Sequence, residues 1–194
     1  GILLVPARDG SHSLRAAREQ KIPLVVLDRR LPQGEADVVR CDSRGGAAQL
    51  TRLLLNLGHR RIALLNGPAA VSTAADRSAG FWETLQEAMV DASGLMFSGS
   101  FTQASGADMV RQALSREPIP AALIAANNFI AIGALNALRE QGLRVPEDIV
   151  LAGFDDLPPA LVTFPFLTVA SQPAYAMGQE ATRRLLERLA GDTG

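Results

Sequence analysis

Four segments of the sequence place aspartate or asparagine directly after a run of apolar, β-forming residues. These polar residues are Asp28, Asn66, Asn127 with Asn128, and Asp155 with Asp156. A carboxylate accepts hydrogen bonds from two hydroxyl groups, and a side-chain amide both donates and accepts. None of the four segments carries a nucleophile next to a base. The set therefore predicts recognition of a neutral polyol; the alternative for each residue is that it only caps the helix that follows.

The sequence lacks the motifs of the common enzyme classes, namely the G-x-S-x-G nucleophile turn, the phosphate-binding loop and the dinucleotide fingerprint. Gly45 and Gly46 open a predicted helix, and without a third glycine or a lysine they indicate close helix packing. We interpret His59, in a helix-to-strand turn, as a structural hydrogen-bonding residue, and Cys41 as an inert small residue. One cysteine and two histidines exclude a multi-ligand zinc site. We expect no cofactor and no metal.

Two patterns alternate along the chain and would position the polar residues. Apolar runs predict buried parallel strands at residues 2–5, 24–27, 62–65, 122–125 and 149–152. Helix-period stretches predict helices at about 13–20, 44–57, 74–91, 104–116, 128–141 and 174–190. This alternation predicts an α/β fold with a mainly parallel sheet, in which ligands bind beyond the carboxyl ends of the strands.

Composition limits the class of protein further. The 194 residues are 47% hydrophobic and 20% charged, which excludes a disordered or fibrous chain. A net charge of −1 argues against a nucleic-acid surface on this stretch. Since no apolar run has the length of a membrane helix and no signal peptide is present, we expect a cytoplasmic protein with no membrane partner. The chain starts at Gly1 rather than Met, so we expect a fragment of a longer protein.

A series of short motifs runs through the chain in a fixed order. They are Ile22–Arg29, Leu57–Ala63, Asn66–Pro68, Thr73, Asp76–Phe81, Ala126–Asn128, Ala131–Leu135, Gly142–Ile149, Gly153–Asp156, Pro165, Leu167–Val169, Gln172–Pro173 and Met177–Gly178. In this order they resemble the effector-binding domain of the LacI/GalR family of bacterial transcription regulators. The joint order is specific, although each motif alone is weak.

The resemblance implies a two-lobed fold of the periplasmic-binding-protein type, with parallel sheets flanked by helices. Residues 1–39 and 172–194 resemble parts of an incomplete N-terminal lobe, and residues 40–171 resemble the C-terminal lobe. Relative to the family, the helix-turn-helix headpiece and the first βα units are absent upstream, and the strands of the third crossover are absent downstream. We therefore expect this stretch alone to be unable to bind DNA.

The family's effector contacts carry over onto matching positions. Asp28 resembles a hydroxyl acceptor of the N-terminal lobe. Arg77 resembles the arginine that reaches into the cleft and donates to ring or hydroxyl oxygens. Asn127 and Asp155 resemble the pair that holds adjacent hydroxyl groups.

Three further residues complete the predicted site. Phe101 resembles the aromatic residue that stacks on the effector, Gln172 lies at the second crossover as a polar contact, and Thr73 is a weaker candidate. Each prediction has a plain structural alternative. Phe101 could belong to the core, and Arg77 could form an ion pair on a solvated surface. We interpret Trp82, the one tryptophan, as a packing or interface residue.

The function implied is that of an effector-sensing domain, not an enzyme. A sugar or related polyol would bind in the cleft between the lobes and favour one arrangement of a homodimer, whose headpieces would bind operator DNA. One alternative is an extracytoplasmic sugar-binding protein serving a transporter, which shares the fold. Another is a sugar hydrolase with Asp28 and Asp155 as paired carboxylates, a role for which two residues on different lobes are poorly placed.

Overall fold

The computed structural model of the chain describes residues 1–6, 11–30, 36–91, 95–157 and 167–191. Its elements in chain order are β1 (Ile2–Leu4), α1 (Ser11–Glu19), β2 (Leu24–Leu27), β3 (Asp37–Val39), α2 (Ser43–Asn56), β4 (Ile62–Asn66), α3 (Ser72–Glu87), β5 (Met96–Ser98), α4 (Gln103–Leu114), β6 (Ala122–Ala125), α5 (Asn128–Glu140), β7 (Val150–Phe154), β8 (Thr168–Ala170) and α6 (Ala174–Leu189). The predicted α/β fold with parallel sheets and flanking helices is confirmed. Pro165, one of the motif residues, lies outside the described residues.

The chain divides into two compact units. Unit 1 comprises residues 1–42, 70–73 and 173–194, and unit 2 comprises residues 43–69 and 74–172. The assignment of residues 1–39 with 172–194 and of residues 40–171 to two lobes of a family domain stays a prediction.

Unit 1 is built on a parallel sheet in the order β1-β2-β3. Neighbouring residues of β2 point to opposite faces, as a strand requires. Val25 packs with Met177 and Ala181 of α6, and Val26 packs with Leu14 of α1. The sheet is thus covered by one helix on each face.

Unit 2 holds the larger core, around a parallel sheet in the order β5-β4-β6-β7-β8. Every residue of β4 and β6 is buried, as expected for central strands between two layers of helices. The chain passes from β4 to β5 on one side and then crosses to β6 on the other side of β4. Strands β4 and β6 therefore flank a topological switch point, the place where open parallel sheets most often bind ligands.

Helices α4 and α5 cross closely enough to require glycine. A Cβ atom on Gly106 would collide with the backbone of Ile130, and one on Gly133 would collide with the carbonyl oxygen of Gln103. Because α5 begins just after the carboxyl end of β6, this crossing helps to fix the position of Ala126 and Asn127, which connect β6 to α5.

Candidate ligand-binding site

The carboxyl edge of the unit 2 sheet collects five of the predicted site residues. Asn127 follows β6 at the switch point, and its Oδ1 accepts a hydrogen bond of 2.8 Å from the backbone N–H of Ile130. The backbone of Asn127 is extended, so the residue is the N-cap of α5. The alternative prediction, that Asn127 caps the following helix, is therefore confirmed. A contact between Asn127 and a ligand stays a prediction.

Arg77 of α3 lies buried at the same edge, with only 3% of its surface exposed. Its Nη1 donates to the carbonyl oxygen of Ala126, and its guanidinium carbon lies 4.2 Å from the centre of the Phe154 ring. This burial does not fit the alternative of a solvated surface position. Of the two carboxylates that could pair with Arg77 there, Asp76 and Glu83, Glu83 instead accepts from Arg44 at 2.5 and 2.8 Å. A guanidinium stacked on an aromatic face is held in one plane, so its donors have fixed directions.

Phe101 lies near the ends of β4 and β5, half-buried against the periphery of the core. Its ring covers Gly67 so closely that a Cβ atom at Gly67 would overlap it. Gly67 follows Asn66, whose Nδ2 donates to the Ala74 carbonyl at 2.9 Å and to Ser78 Oγ at 2.8 Å. Asn66 is thus occupied in holding the loop after β4, which fits a structural role.

Asp155 directly follows β7 in the left-handed conformation, with φ of 67°. Its backbone N–H donates to the carbonyl of Ala170 at 3.1 Å, and its Oδ1 accepts from Nε2 of Gln172 at 2.5 Å. A positive φ in a non-glycine residue carries a conformational cost, and strained residues of this kind cluster at active sites and ligand clamps. The backbone therefore holds Asp155 at the end of β7 in a conformation that Asp adopts at a smaller cost than most residues.

Asp156, next to it, is exposed and serves a different contact. Its Oδ2 lies 2.5 Å from Ser171 Oγ, and its carbonyl oxygen accepts from Asn128 Nδ2 at 3.1 Å. These bonds tie the start of α5 and the residues after β8 to the end of β7.

In unit 1, Asp28 follows β2 with a φ of 68°. Its backbone N–H donates to the carbonyl of Val39 at 2.9 Å, and its Oδ2 lies 3.7 Å from Nε of Arg29. Its Oδ1 is buried and has no hydrogen-bond partner among the described residues. Thr73, also within unit 1, is only 5% exposed.

Sequence reasoning missed three parts of this arrangement: the Phe154 ring beneath Arg77, the glycine beneath Phe101 and the bond between Gln172 and Asp155. Each joins residues that are distant in sequence. Phe154, Gly67, Gln172 and Asp155 all lie in the motifs singled out above, but nothing in the sequence indicated which residues contact each other. Within the described ranges, no group of three or more His, Cys, Asp or Glu residues could hold a metal ion. Across the same ranges, no helix has the length and apolarity needed to cross a membrane.

Comparison with known proteins shows which class of protein this chain belongs to. Residues 51–194 match the family model described as a periplasmic binding protein-like domain. The chain is 35% identical, over its whole length, to the HTH-type transcriptional regulator CelR of Thermobifida fusca, of which it covers 58%. It spans between half and three-fifths of the length of the curated relatives it matches.

Solved structures give the same result. The CelR–cellobiose complex matches the whole chain with a TM-score of 0.91 at 34% identity, and the chain covers 60% of it. A LacI-family regulatory protein of Chloroflexus aggregans matches 97% of the chain with a TM-score of 0.87 at 31% identity, and the chain covers 68% of it. This chain belongs to the LacI family of transcriptional regulators, within the class of periplasmic binding protein-like domains. The family is not enzymatic, and the transporter-protein alternative is not favoured.

Proposed function

We propose that this chain is the effector-sensing domain of a LacI-type DNA-binding regulator and that its effector is a small polyol, in the first place a sugar. The proposal rests above all on the left-handed Asp155 at the end of β7. A hydroxyl acceptor held there, beside a switch point, suits a neutral ligand rich in hydroxyl groups. The match to a regulator solved with cellobiose supports a sugar as the first class to test.

The proposed contacts divide by chemistry. The Asp155 carboxylate accepts from hydroxyl groups, while the guanidinium of Arg77 donates to ring or hydroxyl oxygens. Asn127 adds an amide, and the ring of Phe101 stacks on the apolar face of the sugar. Asp28 and Thr73 of unit 1 stay predicted effector contacts.

Effector binding would control DNA binding because the two binding equilibria are thermodynamically linked. An effector shifts the equilibrium between two forms of the regulator only by its difference in affinity for them. The form it stabilises would bind operator DNA more tightly or more weakly, in a homodimer whose headpieces read two half-sites.

A thermal-shift screen tests the proposal on the intact protein, with cellobiose first and then a panel of sugars, polyols and nucleobases. A ligand at 100 times its Kd adds about 2.7 kcal/mol of stability. For a domain of this size we expect a rise in Tm of roughly 5–10 °C. Asp155→Ala should abolish the shift, and Asp156→Ala, which alters the exposed neighbour, should preserve it.

Operator binding provides the second readout. The sugar that raises Tm should also change the affinity of the intact protein for its operator, measured by fluorescence polarisation. If the folded protein responds to no member of the panel, the sugar-sensor proposal is wrong. If Asp155→Ala and Asp156→Ala lose the response equally, the role of Asp155 as the hydroxyl acceptor is wrong.

A further inference from the structure

The bond between Gln172 and Asp155 gives Gln172 a role that its position alone does not show. We infer that Gln172 is a positioning residue: its side-chain amide fixes the Asp155 carboxylate for the effector and does not itself contact the effector. This inference rests on the proposed function, because it concerns the same carboxylate.

The two side chains form a hydrogen bond between an amide and a carboxylate. Nε2 of Gln172 lies 2.5 Å from Oδ1 of Asp155, and both side chains are partly buried. A hydrogen bond to an ionised acceptor is shorter and stronger than one between neutral groups. Asp155 is therefore held at two points, its N–H by the Ala170 carbonyl and its carboxylate by Gln172.

The chemistry of a carboxylate explains what this holding does. Its two oxygens offer about four acceptor sites, of which the Gln172 amide takes one. The bond restricts rotation of the carboxylate, so the remaining acceptor sites are oriented before a ligand arrives. A site organised in advance loses less conformational freedom on binding, and its affinity is correspondingly higher.

The adjacent residue supplies a matched control. Ser171 makes the equivalent contact to Asp156, with Oγ and Oδ2 also 2.5 Å apart. Ser171→Ala therefore removes a bond of the same length from the same segment and leaves the Asp155 carboxylate held.

A double-mutant cycle on the intact protein separates positioning from direct contact. The probe is cellobiose or, if cellobiose gives no thermal shift, the panel sugar that gives the largest one. We expect Gln172→Ala to weaken binding about tenfold, equivalent to about 1.4 kcal/mol. In the Asp155→Ala background the same change should cost less than about twofold. Ligand-observed NMR extends the measurement to millimolar affinities, and Ser171→Ala should bind as the wild type does.

A pH profile adds a readout that a purely structural residue would not change. In Gln172→Glu, the new side chain donates to Asp155 only when it is protonated, and two ionised carboxylates at that distance repel each other. Affinity for the neutral probe should fall at pH 8 and recover towards pH 5. An equal loss for Gln172→Ala with and without Asp155, or a flat profile for Gln172→Glu, would overturn the inference.

The bond itself is tested without any ligand. The side-chain amide resonance of Gln172 in a ¹⁵N spectrum should move in Asp155→Ala and stay in place in Asp156→Ala. A resonance unchanged in both variants refutes the positioning role, whether or not a sugar binds. If the resonance responds but the wild type binds no sugar, the proposed function fails while the pairing of Gln172 with Asp155 stands.

Discussion

Asp28 and Asp155 occupy the same local position in two different sheets. Each follows a parallel strand, each has a φ near the left-handed value, at 68° and 67°, and each donates its N–H to the last residue of the neighbouring strand. The acceptors are the carbonyls of Val39 and Ala170. Left-handed backbone is costly for any residue with a Cβ atom, and least so for Asp and Asn. The same device, used once in each unit, directs a carboxylate from the end of a strand.

This relationship predicts that two substitutions of Asp155 can affect sugar binding equally and stability differently. Alanine and glycine both remove the carboxylate, but only glycine adopts a positive φ without steric cost. We expect the free energy of unfolding of Asp155→Gly to be about 1 kcal/mol higher than that of Asp155→Ala. Denaturation in urea measures the difference, and both variants should lose the thermal shift with the sugar.

The control for this comparison is Asp156, whose φ is not positive. There, glycine should be no more stable than alanine, because it only adds freedom to the unfolded chain. An Asp155→Gly protein less stable than Asp155→Ala would contradict the argument from backbone conformation.

A second prediction concerns the stack of Arg77 on Phe154. Lysine keeps the charge but loses the planar guanidinium, so Arg77→Lys should lower the free energy of unfolding by about 1–2 kcal/mol. It should also weaken sugar binding, as measured by calorimetry. Arg44→Lys is the matched control, because the Arg44 side chain is 61% exposed in its ion pair with Glu83. We expect that variant to stay within about 0.5 kcal/mol of the wild type; equal losses in both would argue against the stack.

The sequence predicted the helices well and the sheet edges poorly. All six predicted helices are present, with ends displaced by at most four residues, for example α3 at Ser72–Glu87 against an expected 74–91. The unpredicted strands are β3, β5 and β8, which are three residues long and lie at sheet edges. So short a strand, paired on one side only, carries little periodicity in its own sequence, and its pairing depends on its neighbours.

For the site, the residue types at strand ends were predictable, but their contacts were not. Asp155 was expected as a hydroxyl acceptor because it follows an apolar run. Its left-handed backbone and its bond to Gln172 depend on the position of β8, which the sequence did not reveal. Likewise, the burial of Arg77 follows from the packing of α3 near the ends of β6 and β7, a tertiary effect.

A third prediction tests the close crossing of α4 and α5. A methyl group at Gly133 would collide with the backbone of Gln103, so Gly133→Ala should destabilise the protein by about 1–3 kcal/mol. Displacing α5 should also disturb its N-cap, Asn127, and weaken sugar binding. Gly178→Ala in α6 provides the control, since a Cβ atom there meets nothing within 4 Å. It should raise stability by up to about 1 kcal/mol through helix propensity. Equal effects from both substitutions would refute the crossing.

The last prediction concerns acid sensitivity in unit 1. The Arg188 guanidinium bonds both carboxylate oxygens of Asp37, at 2.8 and 3.2 Å, and this holds the pKa of Asp37 below its usual value of 3.8. A carboxyl whose pKa is lower in the folded state stabilises the protein above its unfolded pKa, and this contribution is lost as pH falls through the folded pKa. Asp37→Asn should therefore lower the free energy of unfolding by less than about 1 kcal/mol at pH 7. Its deficit should shrink below pH 4 and in high salt, where the ion pair is screened. Arg188→Leu removes the same pair from the other side, so the double variant should lose little more than either single one. Urea unfolding between pH 3 and pH 7 measures the series, and a deficit for Asp37→Asn that stays constant across this range would show that the pair does not link folding to pH.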